Sequence, residues 1–291
     1  MNFSGDNPVR TNKNVPIYDS DKNQSFLYAG IEKSGVNKEP ENRSFAKKVL
    51  DDTGNAVKTF ASDFKYIYTS PARINKRSAL WLGGLVTTGG LIMVYDKEIF
   101  DAFQRNKDHK FYKPIRKAGE KFEPVGLMAE FEKYYFGALF IGYITGIDKL
   151  VEISSDFLES YCIASPGKIS GNILFGRRRP REGMDPRSYK FFDGTSLPSG
   201  HSSNIVQMAT VLSHHIDFLP FQIVAYGIAS SVCLERITSN DHWPSDVYFG
   251  ALYGRIISKT LLNRVDSRRL KITPMTIDNG NNTGFQITYK F

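Results

Sequence analysis

Residues 236–262 read RITSNDHWPSDVYFGALYGRIISKTLL. A polar stretch runs to His242, Pro244 follows, and an apolar run then extends over Val247–Gly254, breaks at Arg255 and resumes to Leu262. Proline suits the first turn of a helix, where its missing N–H has no intrahelical partner to lose. The segment therefore reads as a turn opening into a helix. The same grammar appears upstream, where Pro198-Ser-Gly-His201 precedes the uncharged stretch Ser202–Ile216. Three further runs without Asp, Glu, Lys or Arg, Ala79–Tyr95, Tyr134–Ile147 and Phe218–Leu234, are also helical in pattern. The middle of the chain is expected to be all-α, a bundle of about six helices with its turn-borne polar motifs at one end. None of these runs comfortably exceeds the roughly 18–20 apolar residues of a confident transmembrane helix. A weakly hydrophobic membrane domain, with small residues allowing close helix packing, and a buried bundle in water both fit; membrane association is favoured.

Outward from this middle the composition changes. Residues 1–43 are polar and punctuated by Pro8, Pro16 and Pro40, which predicts an irregular arm. Residues 44–68 space Phe45, Val49, Val57, Phe60, Phe64 and Ile67 as an amphipathic helix. Leu270–Ile277 and Gly284–Phe291 flank an Asn/Gly-rich connector, which predicts a short C-terminal β-hairpin or a loose tail. The expected organisation is a polar N-terminal extension over 1–78, a catalytic helical domain over 79–263 and a tail over 264–291. No secretory signal is visible at the start, MNFSGDNPVRTNKNVP. Cys162 and Cys233 are expected to be free, buried thiols.

The net charge of +8 is unevenly placed. Residues 1–78 hold 13 Lys+Arg against 9 Asp+Glu, residues 79–262 hold 20 against 19, and residues 263–291 hold 5 against 2. Within the near-neutral middle, residues 168–190 concentrate seven bases against two acids. A single basic spot argues against a nucleic-acid footprint spread over a face and for a compact anion site, although a solvated loop has the same composition.

Three clusters can carry chemistry: Gly176-Arg-Arg-Arg-Pro180, Pro198-Ser-Gly-His201, and Arg236 through His242 to Asp246. Asp246, four residues beyond His242, can accept a hydrogen bond from the near ring nitrogen and leave the far one as a nucleophile or base. Alone, the pair also fits an ordinary surface His–Asp contact. Gly200 lets a ligand approach the backbone at a helix N-terminus, which favours anions, and His201 stands where it can protonate a leaving oxygen. Alone, this is also an ordinary N-cap turn. Arg179 and Arg236 supply guanidiniums suited to phosphate.

Taken in order, these residues resemble the type 2 phosphatidic acid phosphatase (PAP2) superfamily, shared with bacterial nonspecific acid phosphatases and vanadium haloperoxidases. Its pattern is K-x6-R-P, then P-S-G-H, then S-R-x5-H-x3-D. Arg179-Pro180 fits the first block, Pro198–His201 the second, and Arg236, His242 and Asp246 the third with its spacing intact. The resemblance covers roughly residues 79–262. It implies a phosphatase acting on a phosphomonoester or diphosphate, of a lipid or a small ester. His242 would be the nucleophile of a phosphohistidine, Asp246 its orienter and His201 the general acid and base. Arg179, Arg236, Ser199, Gly200 and, more weakly, Asn172 would hold the phosphate. It implies no metal or other cofactor, with vanadate as an inhibitor. It also implies a membrane-associated enzyme with its site on the periplasmic or extracytoplasmic side, and neither nucleic acid nor an obligate protein partner. Two positions depart from the pattern: Asn172 stands in the Lys slot, for which Lys168 or Arg177 are the candidate substitutes, and Glu235 replaces the Ser before Arg236, adding a carboxylate able to pair with it. The alternatives are a vanadium-dependent haloperoxidase and a weakly active phosphate- or lipid-binding protein.

Overall fold

The computed structural model describes residues 45–277 and 282–289. The N-terminal arm expected over 1–43 and the hairpin connector lie outside them. Among the described residues the chain forms α1 (Phe45–Tyr68), α2 (Lys76–Val94), α3 (Asp96–Asn106), α4 (Tyr112–Gly126), α5 (Met128–Thr145), α6 (Asp148–Phe175), α7 (Gly200–His215), α8 (Leu219–Thr238) and α9 (Pro244–Arg269). All five apolar runs read from the sequence fall in helices: α2, α5, α7, α8 and α9. The stretch 79–263, expected to hold about six helices, contains most of α2, all of α3–α8 and most of α9. Residues 48–263 make one compact unit, and the described residues from Arg264 onward fall in a second. The second contains an antiparallel hairpin, β1 (Leu270–Ile277) with β2 (Asn282–Tyr289), in the register Leu270↔Tyr289 to Ile277↔Asn282.

Helix α7 is the axis of the first unit. Nine of its residues between Ser202 and Val211 are buried, on every side of the helix, so other elements surround it. Asn204 Nδ2 donates to Gly126 O of α4 at 2.9 Å, and Tyr226 of α8 donates to Thr210 at 3.1 Å. Ile205, Val206 and Ala209 pack with Ala229 and Val232 of α8 in one apolar cluster. Helix α9 lies closest. A Cβ built on Gly250 would stand 2.3 Å from Ser199 O, and one on Gly254 would stand 2.3 Å from Ser203 O. Glycine four residues apart lets the two backbones touch.

The path of the chain at the motif end is set by local chemistry. Gly176 ends α6 at φ 60°, where a Cβ would lie 1.9 Å from Lys190 O, so the turn into Arg177 requires glycine. Ser199 caps α7. The consequence is that the C-terminal ends of α4, α6 and α8 and the N-terminal ends of α7 and α9 meet at one end of the bundle.

The outside is unusually apolar. Helix α2 is long and apolar enough to cross a membrane, and it exposes Trp81 (68%) and Leu80 (78%) while burying only Gly89. Phe140 and Ile144 on α5, Leu174 and Phe175 on α6, and Leu219 and Ile223 on α8 are also bare. Both cysteines are free as expected, but Cys162 is exposed and Cys233 half-buried rather than buried.

The close α7–α9 contact sets a prediction. Gly250→Ala is expected to destabilise the fold by about 1–3 kcal/mol through overpacking. Gly227→Ala, where a Cβ meets nothing within 4 Å, is expected to stabilise α8 by about 0.5–1 kcal/mol. Thermal unfolding of detergent-purified variants checks both; a Gly250→Ala midpoint at or above wild type contradicts the packing.

Candidate active site

His242 sits in the short loop between α8 and α9 and is 1% exposed. Its loop is shaped from both sides. The N–H groups of Asp241 and His242 return to Arg236 O at 3.2 and 3.1 Å, and Asn240 adopts φ 64° to turn the chain. Downstream, Pro244 occupies the first turn of α9 and Asp246 Oδ2 accepts from Trp243 N–H at 3.0 Å. That is the reciprocal half of a capping box, a carboxylate three residues into the helix reaching back to the cap.

The imidazole is oriented by a carbonyl. His242 Nδ1 lies 2.9 Å from Ser196 O, so Nδ1 carries the proton and donates, and Nε2 is left with its lone pair. The expected direct bond from His242 to Asp246 is not formed; their nearest atoms are 4.0 Å apart. The reason is that His242 precedes the helix instead of lying one turn back along it, and that the carboxylate is already occupied. Asp246 Oδ2 accepts from Ser196 Oγ at 2.5 Å as well as from Trp243, and Oδ1 accepts from Arg177 Nη1 at 2.7 Å. Asp246 thus orients His242 at one remove, by fixing the Ser196 residue whose carbonyl holds the ring. Burial first, then the nearby Arg179 and His201, hold the His242 pKa well below its ordinary value. The ring is therefore neutral at neutral pH, with its lone pair on Nε2.

Arg177 is completely buried. Its Nη2 donates to Asp96 Oδ2 at 2.6 Å, its Nη1 to Asp246 and to Ser245 Oγ at 2.7 Å, and its Nε to Pro186 O at 2.9 Å. Ser245 in turn donates from N–H and Oγ to Asp96 at 2.8 and 2.6 Å. Buried, and with all three of its nitrogens bonded to these acceptors, Arg177 does not substitute for the absent lysine. Lys168 does not reach the loops either. Its Nζ donates to Asn204 Oδ1 at 2.5 Å and sits 4.2 Å from the Tyr161 ring centroid, inside the bundle.

The two expected phosphate-binding arginines lie beside this core. Arg179 is aimed by Thr195, whose Oγ1 and O accept from Nε and Nη2 at 3.0 and 3.1 Å, and its Nη1 is 3.5 Å from Asp241. Arg236 is surrounded by carboxylates. Glu235 contacts its Nε and Nη2, Glu123 Oε1 is 3.0 Å from Nη1, and Asp241 Oδ2 is 3.1 Å from Nη1. The Glu235 pairing is the one the sequence suggested. His201, on the first turn of α7, places Nε2 2.9 Å from the same Glu123 oxygen, an ion-pair distance without aligned hydrogen-bond geometry.

The remaining candidates differ. Ser199 Oγ is buried and accepts from Ser202 N–H at 3.4 Å and Ser202 Oγ at 3.0 Å, so its hydroxyl serves the helix cap. A Cβ on Gly200 would meet nothing within 4 Å, which leaves open space before the α7 N-terminus, where an anion is favoured. Asn172 faces a 380 Å³ cleft shared with Thr195 and Phe192, and its Oδ1 has no partner among the described residues. It neighbours the residue that aims Arg179 and makes no bond to Arg179 itself. Sequence reasoning missed Glu123, Ser196, Thr195 and Asp96. Asp241 lay within the stretch first read and was passed over, although its position next to His242 was a usable signal.

Comparisons with known proteins find three kinds of similarity. Residues 157–269 match the model of the PAP2 superfamily, a span containing Arg179 through Asp246. The lipid A 1-phosphatase of Porphyromonas gingivalis is 32% identical over 94 residues, which are 31% of this chain and 19% of that protein. The chain thus matches about a fifth of that relative's length. Two crystal structures are similar. LpxE of Aquifex aeolicus has a TM-score of 0.43 at 24% identity, covering 57% of this chain and 93% of its own. The first transmembrane PAP2-type phosphatidylglycerolphosphate phosphatase from Bacillus subtilis has a TM-score of 0.34 at 18% identity, covering 60% and 96%.

Arg177→Met leaves Asp96 and Asp246 as buried, uncompensated carboxylates. It is expected to cost about 3–5 kcal/mol, whereas Arg187→Met, on an exposed part of the same loop, should cost less than about 0.5 kcal/mol. Thermal unfolding of the two variants side by side is the measurement. Equal midpoints would remove Arg177 from the centre of this account.

Proposed function

With residues 157–269 matching the PAP2 superfamily, we propose that the chain is a phosphatase that hydrolyses a phosphomonoester or diphosphate of a lipid through a phosphohistidine on His242. The observation that carries this reading is the 2.9 Å contact of His242 Nδ1 with Ser196 O. It leaves Nε2 unprotonated in a buried ring whose neighbours are a second histidine and two arginines. That is the arrangement a covalent phosphoryl transfer needs, because nucleophile, acid and charge stabilisation are present together.

The chemistry follows from those positions. Nε2 of His242 attacks phosphorus in line with the ester oxygen. The positive charge that develops on the ring is stabilised at Nδ1–H by the Ser196 carbonyl, itself held by Asp246. Arg179 and Arg236, with the N–H groups at the start of α7, stabilise the equatorial oxygens. His201 protonates the leaving oxygen, then removes a proton from the water that cleaves the phosphohistidine. In this scheme the arginines supply the positive charge, and no step calls on a metal. An incoming phosphate displaces carboxylate contacts from Arg236, so binding is an exchange of anions on that guanidinium.

The lipid part of the proposal is supported by the outer surface. The apolar faces of α2, α5 and the ends of α6 and α8 are bare, and α2 is long enough to span a bilayer. The loop after α6 presents Phe191 and Phe192 almost unburied, beside the basic Lys190. Aromatic rings next to basic side chains suit the headgroup layer of a membrane. A substrate held there brings its phosphate to Arg179 without leaving the lipid.

Two outcomes test this. His242→Ala is expected to reduce phosphate release from p-nitrophenyl phosphate and from phosphatidate at least about 10³-fold, with Arg236→Ala also severely impaired; undiminished turnover by the His242 variant would sink the mechanism. The second concerns pH. Because burial and cations depress the His242 pKa, its neutral form persists as pH falls through about 6.5, the ordinary imidazole value. The acidic limb of kcat/KM assigned to His242 is therefore expected below that pH. A limb at or above it contradicts the buried site.

A further inference from the structure

We propose that Glu123, in the last turn of α4, is the positioning residue of the acid catalyst: its carboxylate holds the protonated form of His201 and ties it to Arg236 through a shared oxygen. The proposal rests on the phosphatase reading above and extends it to a residue outside the matched span and outside the three motifs. Glu123 Oε1 is 2.9 Å from His201 Nε2 and 3.0 Å from Arg236 Nη1. One oxygen thus bridges the acid and a phosphate-binding arm.

The placement is built into the packing. Asn204 Nδ2 pins Gly126 O at 2.9 Å, which fixes the end of α4 against α7. A Cβ on Gly126 would come 3.3 Å from His201 Cδ2, so the helix end packs tightly against the ring. Arg236 already has Glu235 and Asp241 as partners, so its neutralisation does not depend on Glu123. For His201, Glu123 is the carboxylate in contact among the described residues. The charged or titratable groups around His201 are Glu123 from α4, Arg236 from the end of α8, and Asp241 and His242 from the loop before α9. Burial first, and then the Arg236 guanidinium, lower the His201 pKa, and the touching Glu123 carboxylate offsets part of this.

In the step this implies, the lone pair of His242 Nε2 forms the N–P bond and the P–O bond to the leaving alcohol breaks. The leaving oxygen takes the proton from His201 Nδ1, while Nε2–H stays within ion-pair distance of Glu123. In the second half, neutral His201 takes a proton at Nδ1 from water. The water oxygen bonds to phosphorus as the N–P bond breaks, and phosphate and the resting enzyme result.

The test compares two esters on the full-length protein. p-Nitrophenolate leaves with little need of a proton, whereas an alkoxide needs one. Glu123→Gln is expected to lower kcat on octyl phosphate by about 100-fold, the scale of general acid catalysis, and on p-nitrophenyl phosphate by less than about five-fold. Glu123→Asp is expected to recover about ten-fold of the loss on octyl phosphate, and thermal midpoints of both variants report that the fold is intact. Equal losses on the two esters would overturn the proposal, leaving only a structural role through Arg236. Tighter orthovanadate binding with unchanged kcat on both would overturn it too, because Glu123 would then merely occupy the anion position. His242→Ala on the same two esters separates the levels. Activity retained there defeats the phosphatase reading itself, whatever Glu123 does.

Discussion

The buried triple Asp96–Arg177–Asp246 is the constraint on which the site depends. Arg177 is two residues before Arg179, Asp96 opens α3, and Asp246 lies in the first turn of α9, so one guanidinium joins three parts of the chain far apart in sequence. Burying three charges is costly, and the set is stable only as a complete group with its hydrogen bonds filled. Ser245, Ser196, Pro186 O and Trp243 N–H fill them. What this achieves is registration. Arg177 O accepts from Ser196 N–H at 3.2 Å, Asp246 O accepts from Ser199 N–H at 3.0 Å, and Ser196 O receives His242. His242, the loop that carries Arg179 and the cap of α7 are therefore indexed to one another by one buried group.

This arrangement separates two jobs that the motif alone would merge. Asp246 reads, from its spacing to His242, as the third member of a triad. In the structure it bonds to a serine that bonds to the histidine. A carbonyl accepting from Nδ1 fixes the tautomer as firmly as a carboxylate does, but it contributes less charge to an imidazolium. With Asp246 committed to Arg177, the ring is held mainly as a neutral nucleophile, consistent with a pKa pushed down by burial. His201 is also held below its ordinary pKa, by burial first and then by Arg236, but there a carboxylate in contact with the ring, that of Glu123, offsets part of the effect. Two histidines in one site are thereby given different environments, one suited to donate an electron pair and the other a proton.

Much of the fold was legible because it is written locally. Uncharged runs such as Phe218–Leu234 became helices, Pro244 sat in the first turn of α9, and the Asn/Gly-rich connector separated two paired strands. Helix α6 was not read, because its charges, from Asp148 to Lys168, are spread around its length and it carries Pro166 internally. Its identity as a helix comes from packing, as when Ser160 meets Ser258 of α9 at 2.7 Å. In the site, residues within a motif were found and those that serve it from elsewhere were not. Glu123 lies on another helix from both of its partners, and nothing in the neighbouring residues Phe122 and Pro124 distinguishes it. Ser196 acts through its backbone carbonyl, which no side-chain pattern can announce. The direct Asp246–His242 bond failed for a related reason: spacing along the chain fixes a contact only when both residues lie in the helix, and His242 stands just outside it.

The concentration of bases between residues 168 and 190 takes on a different meaning in three dimensions. As a composition it suggested a positively charged trap for anions. In the fold, acids mostly from outside this stretch meet those bases: Asp96 and Asp246 at Arg177, the local Glu182 and Asp193 at Arg178, and Asp241 at both Arg179 and Arg181. A field of matched charges does not attract every anion. It rewards a ligand that can replace carboxylates one for one while adding contacts they cannot make, at the α7 N-terminus and along the line of attack from His242. Under the proposed mechanism a phosphoryl group, whose three non-bridging oxygens turn equatorial during in-line attack, meets that demand, and a planar carboxylate does not. Discrimination then comes from geometry imposed on nearly neutral surroundings, which is also the condition under which such a site can sit beside the apolar faces of α2 and α5.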